Sequence, residues 1–227
     1  MNNFILNIDK QEVLRYLGHR GQEFSKELNK TIDEEIEEIK SMARIKGIYN
    51  KYSITLDDGQ VILEESNLIL KGKSIYNHLS KCSKVYLMAV TLGIHVDKKI
   101  AYYEKFDLTR ALILDACATT LVEEYCDYLE GIIKEEEEKS NNTITWRYSP
   151  GYGDLTIDIQ GKFLRALNGE RAIGLTASSH NLLIPRKSVT AIIGVSDFKI
   201  DKGERGCESC IGKKDCSFRK VGVTCGG

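Results

Sequence analysis

Residues 85–91 read VYLMAVT, a nearly continuous apolar run that ends at Leu92-Gly93. Such a run is typical of a β-strand buried on both faces, because a strand with one face in water alternates apolar and polar residues. Farther along the chain, Asp107 predicts the start of a long helix over residues 108–138, since its side chain can accept hydrogen bonds from the first backbone N–H groups of a helix. A buried central strand followed by a long helix indicates an α+β domain.

Shorter elements are predicted on both sides of this pair. Asp58-Gly59 marks a hairpin, because both residues tolerate the left-handed backbone of a two-residue turn. Further helices are predicted over residues 9–18, 22–43, 74–80 and 159–167, and further strands over residues 48–56, 61–63 and 188–195. We therefore expect an α+β fold whose mixed or antiparallel sheet is flanked by long helices, forming a single domain over residues 1–200 with a cysteine-rich C-terminal tail over residues 201–227.

Two acidic runs carry expectations of their own. Residues 33–38 lie within the second predicted helix, and we expect them to form its solvated face. Residues 135–138 end the long helix, and we expect that end to fray, because negative charge is unfavourable at a helix C-terminus.

The overall composition argues against two classes of partner. The chain has 227 residues and a formal net charge of −1, whereas binding to nucleic acid or to an anionic membrane surface favours a basic excess. No apolar run approaches the length of about 20 residues that a membrane span needs, and we find no signal-peptide pattern at the start. We expect a cytoplasmic protein with no nucleic-acid or membrane partner.

The segment from Arg147 to Asp154 reads RYSPGYGD and is the richest in chemical groups. An arginine offers a planar fork for a carboxylate or a phosphate. Pro150-Gly151 predicts a turn, and the two tyrosines can stack on a purine or face a cation. The segment suits a ligand that has a carboxylate, an aromatic base and a positive centre, although turns of this kind also serve purely structural roles.

Four of the seven cysteines are concentrated in the tail, at positions 207, 210, 216 and 225. A gap of two residues lets Cys207 and Cys210 reach one metal ion from a tight turn. Four thiolates, Cys207, Cys210, Cys216 and Cys225, suit either tetrahedral Zn or a [4Fe-4S] cluster. A redox-active dithiol and an unligated tail are the alternatives. The scattered Cys117 and Cys126 are expected to pack in the core.

Three segments together resemble the activation domain of vitamin B12-dependent methionine synthase, here as a free-standing chain. Residues 147–152 resemble the Arg-Pro-x-Pro-Gly-Tyr motif of that family, and residues 184–190 (IPRKSVT) resemble its Pro-x-x-Ser-Val-Ser stretch. Residues 121–125 (LVEEY) lie where the family has an Ala-Glu-Ala helix segment. The order and the approximate spacings agree over residues 85–195.

The resemblance implies a function and a set of site residues. In that family the domain binds S-adenosylmethionine and docks over cobalamin, so that an electron and the methyl group restore methylcobalamin from inactive Co(II). By resemblance, Arg147 would pair with the methionine carboxylate, Ser149 and Tyr152 would line the same site, and Glu123 would face the cationic part of the ligand. The implied partners are a cobalamin-binding methionine synthase or corrinoid protein and a flavodoxin or ferredoxin-type electron donor.

The sequence also departs from the family, which keeps two other functions open. Three acidic positions of the family have no carboxylate here; Ala177 and Asn141 stand at two of them, and the family's Asp-Trp-Thr-Pro strand has no counterpart near the start. One alternative is an iron–sulfur protein that delivers electrons to a corrinoid protein without binding the methyl donor. The other is a non-catalytic module that docks on a corrinoid protein.

Overall fold

In the computed structural model, which describes residue 4, residues 6–66 and residues 68–198, helices and strands are interspersed along the chain. The helices are α1 (Lys10–Tyr16), α2 (Lys26–Met42), α3 (Lys73–Leu79), α4 (Ile94–Phe106), α5 (Leu108–Glu138), α6 (Gln160–Leu167) and α7 (Gly169–Ile173), with a 3-10 helix at Ile157–Ile159. The strands are β1 (Lys46–Asp57), β2 (Gln60–Leu63), β3 (Ile69–Lys71), β4 (Lys84–Thr91), β5 (Thr143–Ile144), β6 (Thr176–Ala177), β7 (Leu183–Ile184) and β8 (Ser188–Ser196).

The main sheet has the strand order β3-β2-β1-β4-β8-β5, and β6 and β7 form a separate small hairpin. Every pairing between these strands is antiparallel. Strand β4 lies at the centre, where Met88 is opposite Tyr49 of β1 and Ala191 of β8. The sequence prediction of an α+β fold with an antiparallel sheet is therefore confirmed.

The apolar run 85–91 is buried on both faces, as predicted. Tyr86, Met88 and Val90 face one core, which is shared with α1, α2, α4 and α5. Val85, Leu87 and Ala89 face a second core, which is shared with α3, α6 and α7. The fold consequently has three layers, with one sheet between two layers of helices.

Helices α1 and α5 begin, and the β1–β2 hairpin turns, at the residues that the sequence predicted. The side chains of Asp9 and Asp107 accept hydrogen bonds from the N–H groups of Gln11 and Arg110, and so cap α1 and α5. Asp58 and Gly59 have φ values of 38° and 75° and form the hairpin turn between β1 and β2. Among the described residues, no helix is both long enough and apolar enough to cross a membrane.

The prediction that residues 33–38 form a solvated face is wrong at Glu35, which is fully buried. The guanidinium of Arg110 on α5 donates to Glu35 Oε1 at 2.6 Å, and the other oxygen, Oε2, has no hydrogen-bond partner among the described residues. Burial and the neighbouring carboxylate of Glu38 raise the pKa of Glu35 to about 7, and Arg110 opposes that shift. The helical pattern of α2 alone could not reveal this partner, because it lies 75 residues away along the chain.

The prediction of a frayed end at residues 135–138 is also wrong. Helix α5 continues to Glu138, and the side chain of Glu137 is only 2% exposed. Its carboxylate accepts hydrogen bonds from Lys51, Tyr86 and Asn142, so contacts with β1 and β4 outweigh the unfavourable helix dipole. Both helical cysteines, Cys117 and Cys126, are buried as expected.

The four tail cysteines, Cys207, Cys210, Cys216 and Cys225, lie outside the described residues. Their metal-binding role and the domain boundary between residues 200 and 201 therefore stay predictions.

Candidate ligand-binding site

The segment around Arg147 runs beside the edge of β8. The N–H group of Tyr148 donates to the carbonyl of Ile192 at 2.9 Å, and the N–H group of Ile192 donates back to the carbonyl of Tyr148 at 2.8 Å. Successive side chains of an extended segment point to opposite faces. The rings of Trp146 and Tyr148 accordingly both pack against His78 of α3, whereas Arg147 points the other way, toward α5.

The guanidinium of Arg147 is held by three carboxylates of α5. Its Nη2 donates to Glu123 Oε2 at 3.1 Å. Its Nη1 lies 2.7 Å from Asp127 Oδ1 and 3.4 Å from Glu130 Oε2. Because residues 123, 127 and 130 are four and three positions apart, they share one face of the helix. The structure thus brings the predicted pair Glu123 and Arg147 into direct contact.

The cluster has a net negative charge, because three carboxylates surround one guanidinium. Burial by itself lowers the pKa of Arg147, but Cys126 and the carboxylates of Asp127, Glu130 and Glu123 raise it above its usual range. The guanidinium therefore stays charged at every physiological pH. The negative surplus suits a ligand that brings positive charge of its own.

Sequence reasoning did not identify Asp127 and Glu130 as part of this site. The signal that could have identified them is their spacing from Glu123 on a predicted helix, which places them on the same face. No motif of the sequence marks that face as the one that Arg147 meets.

A tight turn follows Arg147. The N–H group of Tyr152 donates to the carbonyl of Ser149 at 3.1 Å, and that of Gly151 donates to the carbonyl of Leu155 at 2.7 Å. Gly151 has a φ of 99°, a conformation that side-chain-bearing residues rarely adopt. Tyr152 is 67% exposed, and its ring centroid lies 6.4 Å from that of Tyr148. The ring of Tyr152 therefore lies near that of Tyr148, whereas the carboxylate of Glu123 contacts the guanidinium of Arg147.

The far end of the turn is fixed by Asp154. Its carboxylate accepts hydrogen bonds from the backbone N–H groups of Lys73 and Ser74, at 2.7 Å and 3.0 Å, at the start of α3. These bonds lower the pKa of Asp154. Asp154 thus caps α3 from a distance and anchors the turn between two layers of the fold.

The second motif, residues 184–190, lies against the same helix. The Nζ of Lys187 lies 2.9 Å from Asp115 Oδ1 and donates to Thr119 Oγ1 at 2.9 Å. The hydroxyl of Ser188 donates to that of Thr91 at 2.8 Å, which joins this motif to the end of β4.

Positions 115, 119, 123 and 127 are each four residues apart, so Lys187 and Arg147 contact neighbouring turns of one polar stripe on α5. Segments that are far apart in sequence therefore converge on a single helix face.

The guanidinium is not open to solvent in this conformation. The side chain of Arg147 is 11% exposed, and its Nη1 atom is buried. A depression of about 570 Å³ lies elsewhere, between α2 and the start of α5, and a smaller one of about 260 Å³ lies beside Leu175 and Ala177. A ligand that reached Arg147 would therefore have to displace a side chain. Within the described part of the chain, no group of three or more His, Cys, Asp or Glu side chains is arranged to hold a metal ion.

A crystal structure of the MetH reactivation domain bound to AdoHcy matches this chain with a TM-score of 0.64 and 14% sequence identity, covering 96% of this chain and 82% of that chain. No family model matches the sequence, and no curated protein matches it. The match shows that the two chains share a fold.

Proposed function

We propose that this chain is a reactivation module that binds S-adenosylmethionine and docks on a cobalamin-binding methionine synthase or corrinoid protein. The observation that carries the proposal is the convergence of Arg147, Glu123 and the 184–190 segment on one stripe of α5. It occurs within the fold of the MetH reactivation domain, whose solved structure contains AdoHcy.

The charges of the site match the charges of the proposed ligand. S-adenosylmethionine has a carboxylate, which suits the guanidinium of Arg147, and an ammonium and a sulfonium, which suit the surplus carboxylates of α5. The demethylated product S-adenosylhomocysteine keeps the carboxylate and the ammonium. Tyr152 offers an exposed ring on which an adenine can stack.

The role of the chain in reactivation is to position the methyl donor. Cobalamin, held by the partner and supplied with one electron, would provide the cobalt nucleophile for the methyl group, and the methyl donor would become S-adenosylhomocysteine. The residues of this chain contribute by holding the donor in a fixed orientation over the docked partner, which makes the transfer effectively intramolecular. The electron comes from a donor of the flavodoxin or ferredoxin type.

We also propose that the tail cysteines bind a metal centre, either a [4Fe-4S] cluster or Zn, because four thiolates in this spacing can enclose one. Metal analysis and absorbance spectra of anaerobically purified protein test this. We expect stoichiometric iron with a brown colour, or one Zn, and loss of the metal in Cys207→Ser but not in the matched variant Cys117→Ser. Metal-free wild-type protein would contradict the proposal.

Isothermal titration calorimetry tests ligand binding. Titration of the wild-type chain with S-adenosylmethionine, and separately with S-adenosylhomocysteine, should give saturable binding of one ligand per chain. Adenosine and methionine serve as controls, and each should bind more weakly than the intact ligand, because each lacks half of the contacts. If neither adenosyl ligand binds detectably, the chain does not recognise the methyl donor, and the alternative of a docking module remains.

A further inference from the structure

We infer that Asp127 is a displaceable cover on the guanidinium of Arg147, and that a ligand reaches this group by exchanging its own carboxylate for that of Asp127. This inference rests on the proposed function. It identifies the carboxylate of the ligand as the group that the site selects for.

The geometry of Nη1 supports this role. Asp127 Oδ1 lies 2.7 Å from Nη1, which is within ion-pair distance, yet the N–H groups of Nη1 are not aligned for a hydrogen bond with any acceptor in the part of the chain that the structure describes. The other terminal nitrogen, Nη2, makes an aligned hydrogen bond with Glu123. Compared with Nη2, Nη1 is therefore the terminal nitrogen whose N–H groups can still donate hydrogen bonds to a ligand.

The three carboxylates around the guanidinium differ in how easily they can move. Asp127 is 71% exposed, compared with 41% for Glu123 and 19% for Glu130. An ion pair with one side chain largely in water contributes little to stability, since water screens it and replaces it readily. Asp127 can consequently rotate into solvent at small cost, whereas Glu130 is confined by its surroundings.

Exchange at Nη1 would favour ligands that have a carboxylate. When Asp127 leaves, a buried positive group loses a counter-charge, and a ligand carboxylate can restore it with a better aligned, two-point contact. A ligand without a carboxylate gains nothing from the departure of Asp127, because it cannot replace the lost charge. The cover therefore lowers the affinity for ligands that have a carboxylate, and it leaves the affinity for ligands without one unchanged.

The test is calorimetric titration of wild-type protein, Asp127→Ala and the control Glu135→Ala, which removes an exposed carboxylate about two turns farther along α5. The ligands are S-adenosylmethionine, S-adenosylhomocysteine and decarboxylated S-adenosylmethionine. We expect Asp127→Ala to bind both carboxylate ligands about two- to fivefold more tightly, the range of an exposed ion pair. We expect no gain for the decarboxylated ligand and no change in Glu135→Ala.

Each other outcome counts against the inference. If wild-type protein binds S-adenosylmethionine and Asp127→Ala binds it equally or more weakly, Asp127 is not a cover, and the proposed function stands. An equal gain for the decarboxylated ligand would also overturn the exchange, because it would show that the effect is independent of the carboxylate. If neither wild-type protein nor Asp127→Ala binds any of the three ligands, the inference and the proposed function fail together.

Discussion

Arg147→Lys is expected to bind S-adenosylmethionine about 10- to 100-fold more weakly than the wild-type chain, which is the range for losing a hydrogen bond to a charged group. Lysine keeps the positive charge beside Glu123, Asp127 and Glu130, so the cluster stays partly neutralised and the fold should be preserved. It lacks the planar fork, and a single ammonium cannot hold a ligand carboxylate at two points while it also contacts Glu123. Isothermal titration calorimetry measures the change.

The matched control for this substitution is Arg165→Lys, which makes the same replacement at an exposed arginine on α6. We expect its affinity to equal that of wild-type protein. Thermal unfolding of both variants verifies that they are folded. Wild-type affinity in a folded Arg147→Lys would mean that the guanidinium does not hold the carboxylate of the ligand.

Glu137→Ala is expected to lower the free energy of unfolding by about 1 to 3 kcal/mol, the range for leaving a buried hydrogen-bonding group without its partner. The carboxylate of Glu137 is 2% exposed and accepts hydrogen bonds from Lys51, Tyr86 and Asn142. Its removal leaves the buried hydroxyl of Tyr86 without this acceptor and opens a gap between α5 and the sheet. Urea denaturation followed by circular dichroism measures the loss.

The neighbouring variant Glu138→Ala is the control, because Glu138 is exposed and its ion pair with Lys134 is at the surface. We expect a change within about 0.5 kcal/mol there. The hydrogen bonds to Glu137 hold its pKa below the usual value despite burial. Its stabilising contribution is therefore complete at neutral pH and is lost as the pH falls through that lowered pKa. Equal stability losses in Glu137→Ala and Glu138→Ala would contradict the assignment of Glu137 as an anchor.

Local signals in the sequence predicted most of the fold. Asp107 marks the first turn of α5, Asp58-Gly59 marks the hairpin, and the apolar run 85–91 marks the central strand. Each of these signals depends on a few neighbouring residues, and for that reason it can be found without knowledge of the tertiary structure.

The errors share one physical cause, which is a partner far away in the sequence. Glu35 was predicted to be solvated, and the helix end at Glu137 was predicted to fray. Their partners, Arg110 and Lys51, are 75 and 86 residues away. Asp127 was overlooked at the site for the same reason, since only the packing of the 146–148 segment against β8 brings Arg147 to that face of α5. Charges on a helix could be assigned to water or to a partner only after the layers were assembled.

Glu123 and Arg147 were both selected through the family resemblance. The resemblance selected both residues as contacts of a ligand, whereas the structure pairs them with each other at 3.1 Å, so their roles toward a ligand stay predictions. The resemblance did not indicate that the tyrosine side chains would lie apart from the guanidinium. They do so because successive side chains of an extended segment point to opposite faces, which separates Arg147 from Tyr148. The proposed ligand would therefore have to extend from α5 around the turn to reach Tyr152.

A crystal structure of this chain in complex with S-adenosylhomocysteine is the most direct test of the account. We predict that the carboxylate of the ligand lies within hydrogen-bond distance of the guanidinium of Arg147, that its ammonium faces the carboxylates of α5, and that Asp127 has rotated into solvent. A complex in which Arg147 keeps its contact with Asp127 while the ligand lies away from α5 would contradict it.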